Sequence, residues 1–263
     1  MKAWELFEEE CIKYLQDKYP TIKFILTGKK DSTKSDILVK TINQEFYIEV
    51  KSPLSQGGQF VLIPDVAHHL FVYSSKNKTP VFKQTNEIIN YMNLNYKQFA
   101  NLSTNPLKID LNENILANWV INYYEFKKVK FVITKSKDEY LLFPLRKFGN
   151  YFLVKCFYRV KKSGSAHATI FSKNDLLTWW KFSNEGEFIK EDKNLYFYSE
   201  KDRNKRKIKT LNSTYLLNKV AINKYEVRKL SKTFNANVIF QIKLKHDNQA
   251  IEDLNEFEQF IKN

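Results

Sequence analysis

The chain has 263 residues and carries 43 Lys or Arg against 29 Asp or Glu, a formal net charge of +14. That length allows one large domain or two small ones with a sizeable core, and that charge favours a polyanionic partner, nucleic acid before an acidic membrane surface. The 21 Phe and 15 Tyr argue against disorder, and no apolar run approaches the roughly 18 residues of a membrane-spanning helix. No charged start precedes an apolar stretch, and Cys11 and Cys156 make no metal pattern, so no signal peptide is expected and a reducing, cytoplasmic setting is.

Residues 3–18 read as a helix: Trp4, Phe7, Cys11 and Leu15 recur at spacings of three and four, and Pro20 ends the run. Of its three consecutive glutamates, Glu8 falls beside the Cys11 and Leu15 face, while Glu9 and Glu10 point away. Ile22 to Thr27 reads as a strand and Gly28 to Lys34 as a polar loop. Ile37-Leu38-Val39 and Phe46-Tyr47-Ile48 then read as two strands, with Asn43-Gln44 as the turn between them.

Strand alternation sends Glu49 and Lys51 to one face and Ile48 and Val50 to the other, so a carboxylate and an ammonium stay together on an open side while the apolar side packs. Pairing of the two strands brings Asp36 near Glu49. Two carboxylates suit a hard divalent cation such as Mg²⁺, which keeps several waters and needs few protein ligands. Lys51 beside it would orient or deprotonate an attacking water and balance developing negative charge.

Pro53 to Gly58 reads as a loop whose adjacent glycines let backbone approach a phosphate, and Gln59 to Ile63 as the next strand, with Gln59 placed to touch a phosphate or the water. His68-His69 makes no zinc pattern, since adjacent side chains point apart. Thr85 to Leu102 reads as a helix capped by Thr85, with Ile88, Ile89, Met92 and Phe99 in the core. A second helix follows at Ile115 to Tyr124, then strands at Val129 to Thr134, Tyr140 to Pro144 and Phe152 to Val160. Helices interleaved with strands predict an α/β core, a central mixed sheet flanked by helices.

The string SDI, YIEVKSP and QGGQF, with Asp-x12-Glu-x-Lys spanning a hairpin, resembles the PD-(D/E)xK nuclease superfamily, and type II restriction endonucleases in particular. Ser35 stands where the family usually has proline, which leaves the Asp36 ligand in place. The likeness covers roughly residues 1–165. It implies an Mg²⁺-dependent, sequence-specific endonuclease of double-stranded DNA that leaves 5′-phosphates. Asp36, Glu49 and the Val50 carbonyl would bind metal, Lys51 would handle the water, and Glu8 would support a second metal or its waters. A homodimer is expected, because a palindromic site calls for two active sites about a two-fold axis. Repair, junction resolution or mobile-element excision by the same superfamily remains an alternative, as does a non-catalytic DNA-binding module.

The basic excess is concentrated in two places. Lys127 to Lys162 holds eleven Lys or Arg against two acids, and Lys161, Lys162, Ser163, Ser165 and His167 form a basic loop suited to phosphate contacts. Glu200 to Leu230 holds ten against three, with Lys205, Arg206 and Lys207 in one crowded connection. After a short helix from Asn174 to Trp180, strands are expected at Leu195 to Tyr198, Tyr215 to Leu217, Tyr225 to Arg228 and Val238 to Leu244, then an acidic amphipathic helix at Ile251 to Ile261. The expected division is a nuclease core over 1–170 and a β-rich basic C-terminal extension over 171–263, for DNA contact or dimerisation.

Overall fold

The computed structural model describes residues 3–27, 35–100, 105–137, 139–162, 164–180, 185–231 and 234–262, with backbone alone at 161–162, 178–180 and 234–235. The expected loop over 28–34 and the end of the expected helix at 101–102 lie outside the described residues. Two compact units form, one from Met1–Val160 with Ala236–Asn263, the other from Lys161–Asn235.

The elements of the first unit run α1 (Ala3–Lys18), β1 (Lys23–Leu26), β2 (Ile37–Lys40), β3 (Glu45–Val50), β4 (Leu54–Asp65), β5 (Leu70–Tyr73), α2 (Lys83–Leu94), α3 (Tyr96–Phe99), β6 (Leu107–Ile109), α4 (Glu113–Phe126), β7 (Val129–Ser136), β8 (Glu139–Pro144), α5 (Phe148–Tyr151) and β9 (Phe152–Lys162). The second unit holds β10 (Ser165–His167), α6 (Lys173–Trp180), β11 (Glu187–Glu191), β12 (Asn194–Tyr198), β13 (Lys207–Lys209), β14 (Thr214–Ala221) and β15 (Lys224–Leu230). The chain then returns to the first unit with β16 (Phe234–Leu244) and α7 (Ile251–Lys262). The division therefore differs from a single boundary near residue 170. Val238, Phe240 and Ile242 of β16 belong to one core of the first unit, and Phe257 and Ile261 of α7 to its other core.

A mixed five-stranded sheet, in the order β1-β2-β3-β7-β8, organises the first unit; β3 and β7 are parallel and the other pairs antiparallel. Both of its faces are covered. Phe46, Ile48, Val50, Phe131 and Ile133 pack with Cys11 and Leu15 of α1 and with Phe257 and Ile261 of α7. Val132 and Phe143 join the opposite core with Leu116, Val120 and Tyr124 of α4. Double coverage explains why β7 is buried at nearly every position, as a strand packed on both faces requires. Trp4, expected on the buried face of α1, is exposed; the packed face begins at Glu8 and Cys11.

A second sheet, β5-β4-β16-β9-β6, completes the first unit. The expected loop over 53–58 is strand from Leu54 onward. Gly58 pairs with Phe240 and Gln56 with Gln241, which leaves Gly57 as the extra residue of a bulge. A Cβ at Gly57 would stand 2.8 Å from Ile242 Cγ2, and one at Gly58, where φ is +152°, 2.8 Å from Trp119 Cζ3. The glycines thus make room for the protein's own side chains. The third sheet, β11-β12-β15-β14-β13 with β10 on β15, belongs to the second unit and covers a separate core of Leu195, Phe197, Ile208, Tyr215, Leu217, Tyr225 and Val227.

Thr85 is buried within α2 rather than capping it; Phe82 holds the N-cap position. The Thr85 hydroxyl accepts a hydrogen bond from Trp119 Nε1 at 2.9 Å, tying α2 to α4. Thr85→Val keeps the shape and strands the buried indole N–H. Urea unfolding should show a loss of about 1–3 kcal/mol, and a variant as stable as the parent would mean that this bond does not hold the helices together.

Candidate active site

The β2–β3 hairpin closes on a short turn. Thr41 N–H donates to Gln44 O at 3.0 Å, and Thr41 Oγ1 accepts from the backbone N–H of Asn43 and Gln44 at 3.3 and 3.1 Å. The register sets Ile37 opposite Ile48. One residue further along, Asp36 and Glu49 therefore meet at the far end of the hairpin, on the face opposite that of the two isoleucines. Two backbone bonds fix this end. Val50 N–H donates to Asp36 Oδ2 at 2.9 Å, and Lys51 N–H donates to Ile133 O on β7 at 2.9 Å.

Lys51 Nζ lies 2.7 Å from Glu49 Oε1, with the two side chains 14% and 6% exposed. The side expected to be open is therefore closed: Tyr124 of α4 is buried there, its ring centroid 5.2 Å from Lys51 Nζ. Burial pushes the Asp36 carboxyl up to about 8, with the Glu49 carboxylate adding to the rise; Lys51 and the Val50 N–H pull the other way. Burial opposes the charge on Lys51, but Glu49, with Tyr124 and Asp36 behind it, outweighs it and holds the ammonium protonated well above the usual lysine range. Burial and Glu49 raise the Tyr124 hydroxyl well above the usual phenol range.

One oxygen of the site is left over. Glu49 Oε2 is buried without a hydrogen-bond partner, while Oε1 is engaged by Lys51. A buried carboxylate oxygen without a donor suits an added cation. Among the described residues, no three His, Cys, Asp or Glu side chains gather into a metal site of their own. An ion here would therefore depend on Asp36, Glu49, a backbone carbonyl such as that of Val50, and waters.

Glu8 is buried on α1, and its charge contributes to the rise at Asp36, so it belongs to this electrostatic group. Gln59 stands apart on β4 of the second sheet, exposed, where its Oε1 accepts from Gln56 Nε2 at 3.3 Å. His68 is exposed and its ring meets Asp65 at 2.8 Å in the β4–β5 turn.

Of the basic loop, Ser163 lies outside the described residues and so do the side chains of Lys161 and Lys162. Ser165 and His167 sit on β10, where Ser165 Oγ accepts from Arg228 Nε at 2.6 Å and the His167 ring meets Glu226 at 2.8 Å. Lys205 Nζ donates to Asn218 Oδ1 at 3.0 Å, Arg206 pairs with Glu185, and Lys207 is exposed on β13. Tyr124 was not foreseen as a site residue. Helical period places it with Ala117 and Val120 on one packed face, and nothing in that spacing marks its ring as lying beside the lysine.

A helix-flanked mixed sheet carrying an acidic pair and a lysine at a hairpin end is the architecture of a restriction-endonuclease-like hydrolase. No family model and no curated protein matches the chain. Among solved structures it is similar to HhaI endonuclease in complex with DNA, with 39% identity, 100% of both chains covered and a TM-score of 0.83. The chain belongs with that protein to the type II restriction endonucleases, site-specific deoxyribonucleases.

Asp36 has a folded pKa above its unfolded one, so protonation favours the fold. That contribution is complete below about pH 4 and is lost as pH rises through about 8. In chelator-containing buffer, Asp36→Asn should raise Tm more at pH 8.5 than at pH 4 (test conditions set about the range in which the group titrates). An equal shift at both pH values would show that Asp36 is not held protonated by its surroundings.

Proposed function

We propose that this endonuclease hydrolyses phosphodiester bonds of double-stranded DNA at a specific sequence, with Mg²⁺ as cofactor, through a PD-(D/E)xK-type site that leaves 5′-phosphates. The observation that carries the reading is the buried Asp36–Glu49–Lys51 group at the end of the β2–β3 hairpin. Its setting is a chain similar over its whole length to HhaI endonuclease, whose solved structure is a complex with DNA.

Asp36, Glu49 and the Val50 carbonyl would hold the cation, with the unpartnered Glu49 Oε2 as the natural donor. When bound, Mg²⁺ supplies positive charge at the phosphoryl oxygens and acidifies a coordinated water. Lys51 presents an ammonium fixed by Glu49, which orients the attacking water and offsets charge gathering on the phosphate. Glu8 would hold waters of that ion or of a second one. Gln59 would contact DNA or water from β4. Lys161, Lys162, Ser163, Ser165, His167, Lys205, Arg206 and Lys207 would contact phosphates, and a homodimer would present two such sites to a palindrome. Two buried, unbridged cysteines accord with work in a reducing cytoplasm.

Incubation with plasmid DNA and Mg²⁺, followed by sequencing of the fragment ends, tests the reading. Discrete fragments with 5′-phosphates are expected; random degradation, or intact DNA, would overturn it. Asp36→Ala and Glu49→Ala should each abolish cleavage while DNA binding survives, and full cleavage by either would remove the site. Lys51→Ala should lose about a hundredfold or more in single-turnover rate yet keep Ca²⁺ affinity by calorimetry, and Lys51→Arg should rescue poorly because its fork is larger and differently shaped. Neutralising Lys205, Arg206 and Lys207 together should flatten the salt dependence of binding, by about 0.9 in slope for each phosphate no longer neutralised. An unchanged slope would move the footprint away from this connection.

A further inference from the structure

A lysine side chain has four rotatable bonds, and a single ion pair restrains only its tip. Lys51 has more than that. Tyr124 is buried against it, its ring centroid 5.2 Å from Nζ and its hydroxyl in the electrostatic field of the ammonium. Tyr124 is itself immobilised, with the Tyr123 ring 5.0 Å and the Phe148 ring 6.4 Å away. Glu49, the other partner of Lys51, is pulled two ways: Oε1 is bound to the ammonium while Oε2 is buried without a donor.

We propose that Tyr124 is a positioning residue for cleavage, a second anchor that keeps the Lys51 ammonium aimed at the scissile phosphate when the Glu49 carboxylate is drawn toward a cation. The proposal rests on the assignment of Lys51 to the cleavage step. Ring and hydroxyl do different things. The ring walls the ammonium off from water and offers it a π face, and the hydroxyl supplies an acceptor that competes with Glu49 for one of its protons.

The test compares Tyr124→Phe, which keeps the ring, with Tyr124→Leu, each alone and combined with Lys51→Ala. Tyr124→Phe should lower the single-turnover rate roughly ten- to a hundredfold, the loss expected for one hydrogen bond to a charged group, with DNA affinity and Ca²⁺ affinity at parent values. In the Lys51→Ala background the same change should have no further effect, because the residue acts only through the lysine. A readout independent of turnover is the ¹⁵N shift of the Lys51 ammonium in chelator, which should move toward that of a solvated lysine in both Tyr124 variants. Parent rate and parent ¹⁵N shift in Tyr124→Phe overturn the proposal while leaving the role of Lys51 intact. Equal losses with and without Lys51 also overturn it, since they show a general structural role. Parent-rate cleavage by Lys51→Ala removes instead the reading on which it rests. If Tyr124→Leu does not fold, Tyr124→Phe alone decides.

Discussion

Three ionisable groups share the end of one hairpin, and their mutual compensation is the constraint on which the first unit is built. Taking a carboxylate out of water is expensive unless it is paired. The 2.7 Å contact between Lys51 and Glu49 offsets one of the two carboxylates. The second, Asp36, keeps a backbone N–H and is pushed up to about 8. Ionising Asp36 as well would set two carboxylates against one ammonium, and that imbalance, rather than any preformed cage, is what would give a divalent cation a reason to enter. Coverage of the sheet by α1, α7 and α4 maintains the low dielectric that makes the imbalance felt.

How much of this could be read from the sequence depended on how local the signal was. The β2–β3 hairpin was legible because two β-branched and aromatic runs flank a polar turn, and the pairing of Ile37 with Ile48 then follows from the turn. The helices α1 and α7 were legible from their apolar period. What was not legible was decided by distant partners. Gly57 and Gly58 look like loop residues until Trp119 and Ile242 are seen to fill the space beside them. Thr85 looks like a helix cap until Trp119 supplies a donor. Leu70–Tyr73 is short and follows two histidines, so its place in the second sheet comes from β4 rather than from its own pattern. Tyr124 reads as one more core aromatic, since the lysine it meets is far away in sequence.

Counting charge marks a basic region but not how its donors are held. The crowded basic connection before β13 promised a row of phosphate contacts. In the fold, Arg203 and Arg206 both meet Glu185, and Lys205 reaches Asn218. Arg228 and His167 likewise converge on Glu226. Formal charge survives such pairing, but the geometry of each donor is then set by the protein, and a phosphate must compete for it. Exposed Lys207 and Lys209 on β13 have no acid beside them in sequence and keep their reach into solvent.

The return of β16 has a consequence for how such a protein can change. β9 and β16 are neighbours in the second sheet, and the whole second unit is strung between them. An insertion whose two ends emerge from adjacent strands asks little of its host: closing a longer loop there adds only a slowly growing entropy term. The second unit has its own sheet and its own core, so the residues that build it are not those that hold the hairpin carrying Asp36 and Glu49. Lengthening, shortening or exchanging that module as a cassette would thus leave the residues around the β2–β3 hairpin unaltered.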